Sequence, residues 1–160
     1  MKAALKVGSD FGRVLLALRN VADRVPANAR KTLRRTADRI VKVAKDYVPE
    51  DTSALMNSIR AEYTYADRGR LQVSIVVGGQ AEVLVRGRLV NLDQYATIIH
   101  EHYEDMLVYG PGERTEEKMA RFPGKVGSKF LTRAYEENRA LLDRDLITTP
   151  QDIIRQEGLA

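Results

Sequence analysis

Cysteine is absent from the 160 residues. That excludes disulfides, thiolate nucleophiles and zinc sites built on Cys. Tryptophan is absent as well, and aromatics make up only 6% of the chain. A core must therefore come mainly from Leu, Ile, Val and Ala, which suits helices laid on a small sheet. Apolar runs are short. Val14 to Leu18 is interrupted by Arg19 and does not make a signal peptide, and no stretch approaches the roughly 20 apolar residues of a membrane span. The expectation is a chain first folded in a reducing cytosol, with no membrane partner. Histidine occurs only twice. Glycine-rich phosphate loops are missing too: Gly110-Pro111-Gly112 has no following Lys-Ser/Thr, and Gly78-Gly79 has no third glycine at dinucleotide-binding spacing.

What is present is an ordinary globular composition, 44% hydrophobic and 30% charged, with a net charge of +4. A basic excess this small permits a nucleic-acid neighbour without demanding one. Length predicts residues 1–146 as a single α+β domain, followed by a C-terminal docking tail over 147–160 with a short helix.

Apolar periodicity predicts a helix from about Ser9 to Asp23, a break at Pro26, and a second helix from about Ala27 to Val48 closed by Pro49. The second carries Leu33, Ala37, Ile40, Val41 and Ala44 on one face. Lys31, Arg34, Arg35, Arg39, Lys42 and Lys45 gather beside it. The period then changes to two. Ile59, Ala61 and Tyr63, and later Leu71, Val73, Ile75 and Val77, predict a hairpin turning at Ala66 to Gly69. Glu82 to Val90 predicts a third strand weakened by Gly87. Tyr95 to His102 fits a helical turn or a strand, and Met106 to about Gly127 shows little pattern. A long helix is expected from Ser128 to Leu146, then a short one opened by Thr149-Pro150. The fold class is α+β: two N-terminal helices, a small antiparallel sheet with a hairpin, and a long C-terminal helix packed on the sheet.

Candidate chemistry is sparse. His100 and His102 would point both rings to one side of a strand, and a nearby Glu101 or Glu104 could complete a metal site. These are the sole candidates for one, but a third His or a Cys to support it is lacking. A surface or interface role for them is the stronger reading. The residues point to no catalytic site and no cofactor. Arg34, Arg35, Arg39, Lys42 and Lys45 form a candidate DNA-channel or subunit contact. No aromatic interleaves these charges in the sequence, which argues against single-strand stacking there.

Three ordered segments carry a resemblance. The basic helix runs into Pro49-Glu50-Asp51-Thr52-Ser53-Ala54-Leu55 and Ser58-Ile59. Tyr95-Ala96-Thr97-Ile98-Ile99-His100-Glu101 follows, and then Val126-Gly127-Ser128-Lys129-Phe130-Leu131 leads to Glu137-Asn138. Together they resemble a family of small morphogenesis proteins of long-tailed bacteriophages, the minor capsid, tail-completion or neck proteins. Ser53 stands where that family usually has Gly. In this reading Pro49, Asp51, Thr52, Leu55, Ser58, Tyr95, Ala96, Glu101, Phe130 and Leu131 are folding anchors rather than reactive groups. The resemblance implies a non-enzymatic virion protein at the neck or tail end, assembled in the host cytoplasm. It implies a homo-oligomeric ring, hexamer or dodecamer, stacked on other neck, portal-side and tail proteins, with transient non-specific contact to genomic double-stranded DNA. It also implies docking through the hairpin tip, the stretch 106–125 and the tail after Pro150. A small basic nucleic-acid-binding regulator is the alternative.

Overall fold

The computed structural model describes residues 7–50, 53–66, 70–79, 82–85 and 87–159. Its elements are α1 (Val7–Tyr47), α2 (Ser53–Ser58), β1 (Arg60–Ala66), β2 (Arg70–Val76), β3 (Glu82–Val85), β4 (Arg88–Asn91), α3 (Leu92–His102), α4 (Glu113–Arg121) and α5 (Phe130–Gln156). A 3-10 segment, Glu104–Tyr109, lies between α3 and α4. The fold is α+β, as the change of period implies, with helices dominating two small antiparallel hairpins. No helix among the described residues is long and apolar enough to cross a membrane.

The chain divides into two compact units. One takes in Arg35–Ala140, the other the described residues of 1–34 and 141–160. The core of the larger unit is built from Ile40, Ala44, Tyr47 and Val48 of α1 and its exit, Leu55 and Ile59, then Leu92, Tyr95, Ala96, Ile99 and Tyr103, and finally Phe130 and Ala134. Ile75, Val77, Val83 and Val90 pack against it from the hairpins. Burial of this kind is worth roughly 25 cal/mol per Å² of apolar surface and is what holds the small sheets in place.

Three local expectations give way to the structure. The break at Pro26 does not occur, because α1 continues through it. Proline removes the donor to the carbonyl four residues back, here that of Ala22. Ala22 and Pro26 are both exposed, so that carbonyl lies on the solvent side. Asn28 Nδ2 also donates to the Arg24 carbonyl at 3.0 Å, supporting the same turn. The break before Pro150 is absent as well, since α5 runs on to Gln156 and buries Ile153 beyond it. Glu82 to Val90 forms two short strands rather than one. Val85 pairs with Arg88 across a two-residue connection in which Gly87 has φ 80°, a left-handed angle that favours glycine.

The Tyr95 segment is helical. Asn91 caps it through Oδ1, which accepts from the Asp93 and Gln94 amides at 3.0 and 3.2 Å. The β1–β2 register pairs Arg60 with Val76 through to Ala66 with Arg70. The connection itself, residues 67–69, lies outside the described residues.

Candidate functional site

The segments that carry the phage resemblance converge in the larger unit. Pro49 is buried where α1 ends, and Leu55 and Ile59 enter the core. Asp51 and Thr52 lie outside the described residues. The Ser58 hydroxyl donates to the Leu55 carbonyl at 2.7 Å and accepts from the Gly78 amide at 2.9 Å. One hydroxyl thus ties the end of α2 to the corner after β2. Asp93 holds the other side of that corner, accepting from the Gly79 amide at 2.6 Å. Gly78 has φ 96°, and a Cβ placed there would fall 2.3 Å from Asp93 Oδ1.

On α3 the inward stripe is Leu92, Tyr95, Ala96 and Ile99. Ile98 is exposed, because three residues after Tyr95 the helix has turned it off the stripe that Ala96 occupies. Glu101 is exposed and bonded to Lys129 Nζ and to His100 Nδ1, the latter at 2.8 Å. The helical backbone also changes the His100–His102 geometry, since two residues of helix separate the rings by about 200°. His100 stacks edge-on against Phe130 with centroids 5.1 Å apart, whereas His102 lies out beside Asp105. No set of three or more His, Asp or Glu that could hold a metal ion occurs among the described residues.

The third segment interlocks with the other two. The Gly127 amide donates to the Tyr47 carbonyl at 3.2 Å and the Lys129 amide to the His100 carbonyl at 2.6 Å. Lys129 takes a left-handed φ of 56°. Phe130 and Ala134 follow it into the core, and Leu131 is half-buried against it. Asn138 is buried and donates to the Ala134 carbonyl at 2.8 Å. Glu137 accepts from the Tyr47 hydroxyl at 2.6 Å and pairs with Lys125 at 2.6 Å. Lys125 and Tyr47 hold the Glu137 carboxyl below its ordinary range against the opposing effect of burial.

A fourth group has no signature in the sequence. Lys118 on α4 donates to the carbonyls of Lys45 and Val48 at 2.9 and 3.1 Å, and pairs with Glu50 at 3.0 Å. It therefore closes the C-terminus of α1, where carbonyls have no partner within the helix and a cation is favoured. Thr115 Oγ1 accepts from the Glu50 amide at 2.9 Å, and Ser53 and Arg114 complete the cluster. Burial alone would push the Glu50 carboxyl up. Lys118, Ser53 and Arg114 outweigh it and hold the group below the usual carboxylate range.

The basic residues divide between the units. Arg34 belongs to the smaller one and Arg35, Arg39, Lys42 and Lys45 to the larger. All are exposed except Lys45, which is half-buried.

The surface also carries apolar side chains that the fold leaves uncovered. Leu84 and Leu89 face each other across β3–β4 and are 61% and 69% exposed, while their neighbours Val83 and Val90 turn inward. In the smaller unit, Asn20 and Arg24 of α1 bond to Glu157 just past the end of α5. Val14, Leu15 and Leu18 lie N-terminal to that contact, on one helical stripe, and all three are exposed. Compared with known proteins, the chain matches no family model, no curated sequence and no solved structure.

Proposed function

We propose that this chain is a non-enzymatic structural subunit of a tailed bacteriophage virion, acting at the joint of head and tail as one member of a homo-oligomeric ring. The observation that carries the assembly reading is the exposed apolar surface, above all the Leu84–Leu89 pair on a hairpin and the Val14–Leu15–Leu18 stripe on a helix. Single exposed leucines are ordinary on a monomer, whereas paired and aligned ones mark contact surfaces. The resemblance supports the choice of assembly, and its motif residues Leu55, Tyr95, Ala96 and Phe130 lie buried in one unit. In a ring each subunit presents one face to the next through a closed heterologous interface. The work is then done by shape and adhesion, ending one structure and offering a docking surface to neck, portal-side or tail proteins around the DNA channel.

The test is native mass across a concentration series, with negative-stain imaging of the large species. A closed ring is expected, and the Leu84→Lys, Leu89→Lys double variant is expected to shift the population to monomer. A strict monomer at every concentration overturns self-assembly.

A further inference from the structure

The hairpin face of β1 brings aromatic rings to the basic side of α1, a juxtaposition hidden in the sequence because Tyr63 and Asp38 are 25 residues apart. Tyr63 Oη donates to Asp38 Oδ1 at 3.1 Å. On the helix, Asp38 is flanked by Arg35, three residues before, and Lys42, four residues after. Arg39 lies between these two on the adjacent row. All four are exposed. Tyr65 shares the face of Tyr63, since alternate residues of a strand point the same way. The strand leaves the core at Ile59 and meets Asp38 at Tyr63. It thus runs back along α1. Two more residues of strand advance about 6.6 Å, somewhat more than the roughly 4.5 Å that the three helical residues from Asp38 back to Arg35 span, which brings Tyr65 to the Arg35 end of the stripe. Tyr63 is 37% and Tyr65 54% exposed.

Three cations beside two exposed phenol rings make the combination that single-stranded nucleic acid requires: charge to follow the phosphates and flat apolar faces for unstacked bases. A duplex keeps its bases stacked inside and has no use for the rings. We propose that single-stranded nucleic acid binds along this surface, with Arg35, Arg39 and Lys42 on the backbone and Tyr65, beside Tyr63, as the stacking platform. This goes beyond the assembly role and does not depend on it. Asp38 positions Tyr63 and removes one unit of positive charge from the stripe, so binding is weak and strongly salt-dependent.

The experiment is fluorescence anisotropy of the full chain with a labelled oligothymidylate of about 16 nucleotides, and with a duplex of equal length, across a salt series. Saturable binding with preference for the single strand is expected. Tyr65→Leu keeps an apolar side chain on the strand but removes the aromatic face, and is expected to weaken binding roughly ten-fold. Tyr65→Phe keeps the ring and is expected to retain the affinity. Removing two cations with Arg39→Gln and Lys42→Gln is expected to reduce the salt slope by about 1.4. The proposal is overturned by no binding at low salt, by equal or tighter binding to the duplex, or by a Tyr65→Leu variant that binds as the parent does.

Discussion

At the scale of single residues, the fold depends on polar side chains that close backbone ends. Glu50 shows how this links to pH. Its folded carboxyl lies below its ordinary value, so its stabilising contribution is complete above the usual carboxylate range. That contribution is lost as pH falls through the depressed folded value. Glu50→Gln is expected to cost about 2 kcal/mol near neutral pH, and to cost progressively less as the parent's own Glu50 becomes protonated in acid. Thermal unfolding followed by circular dichroism at a series of pH values measures this. An equal deficit at all pH values would show that the charge of Glu50 is irrelevant. Gly78 is the second such residue. Its positive φ and the nearness of Asp93 leave no room for a side chain, so Gly78→Ala is expected to lower stability by about 1–3 kcal/mol. Chemical denaturation reads the loss, and an unchanged midpoint would contradict the strained corner.

At the scale of elements, legibility in the sequence follows apolar periodicity. The basic part of α1, the β1–β2 hairpin and the start of α5 are recognisable because Ala37, Ile40, Ala44, Ile75, Phe130 and Ala134 repeat at the period of their element. The helix α4 is not, because its inward residues are Thr115, Lys118 and Met119, with Phe122 just beyond. A helix whose buried stripe starts with a threonine and a lysine has no apolar signature. Its partners, the Glu50 amide and the α1 carbonyls, lie more than sixty residues away. Thr115→Val keeps the shape but leaves the Glu50 amide without its acceptor, and is expected to cost about 1–3 kcal/mol by denaturant titration. No change would mean that the bond contributes nothing net. The prolines mislead in the opposite direction. Local propensity predicts breaks at Pro26 and Pro150, yet both helices continue, past Pro26 on the solvent side and past Pro150 to a buried Ile153. Pro26 remains a cost within α1, so Pro26→Ala is expected to raise stability by up to about 3 kcal/mol. A destabilised variant would indicate that the proline is needed for the course of the helix.

At the scale of the whole molecule, the candidate site is only partly legible. Buried motif residues such as Leu55, Tyr95 and Phe130 are recognisable one by one, yet neither the double bonding of Ser58 nor the meeting of Tyr63 with the basic stripe follows from spacing alone. Both depend on which strand turns back along which helix. The two units also differ in what they bury. The clustered core lies in Arg35–Ala140, whereas the other unit buries Thr32 and Ile153. Hydrogen exchange is expected to divide α1 accordingly, with amides of residues 35–47 protected more strongly than those of 12–34 in the monomer. Uniform protection along the helix would contradict this division.

The lysine that closes α1 has a further consequence, for the order of events on the ribosome. The carbonyls of Lys45 and Val48 receive their donor from a residue 73 and 70 positions downstream. Until Lys118 has left the exit tunnel, a nascent chain can form the body of its first helix but cannot seal its end. The corner that leads into the sheet therefore matures late, although its residues are among the first to be made.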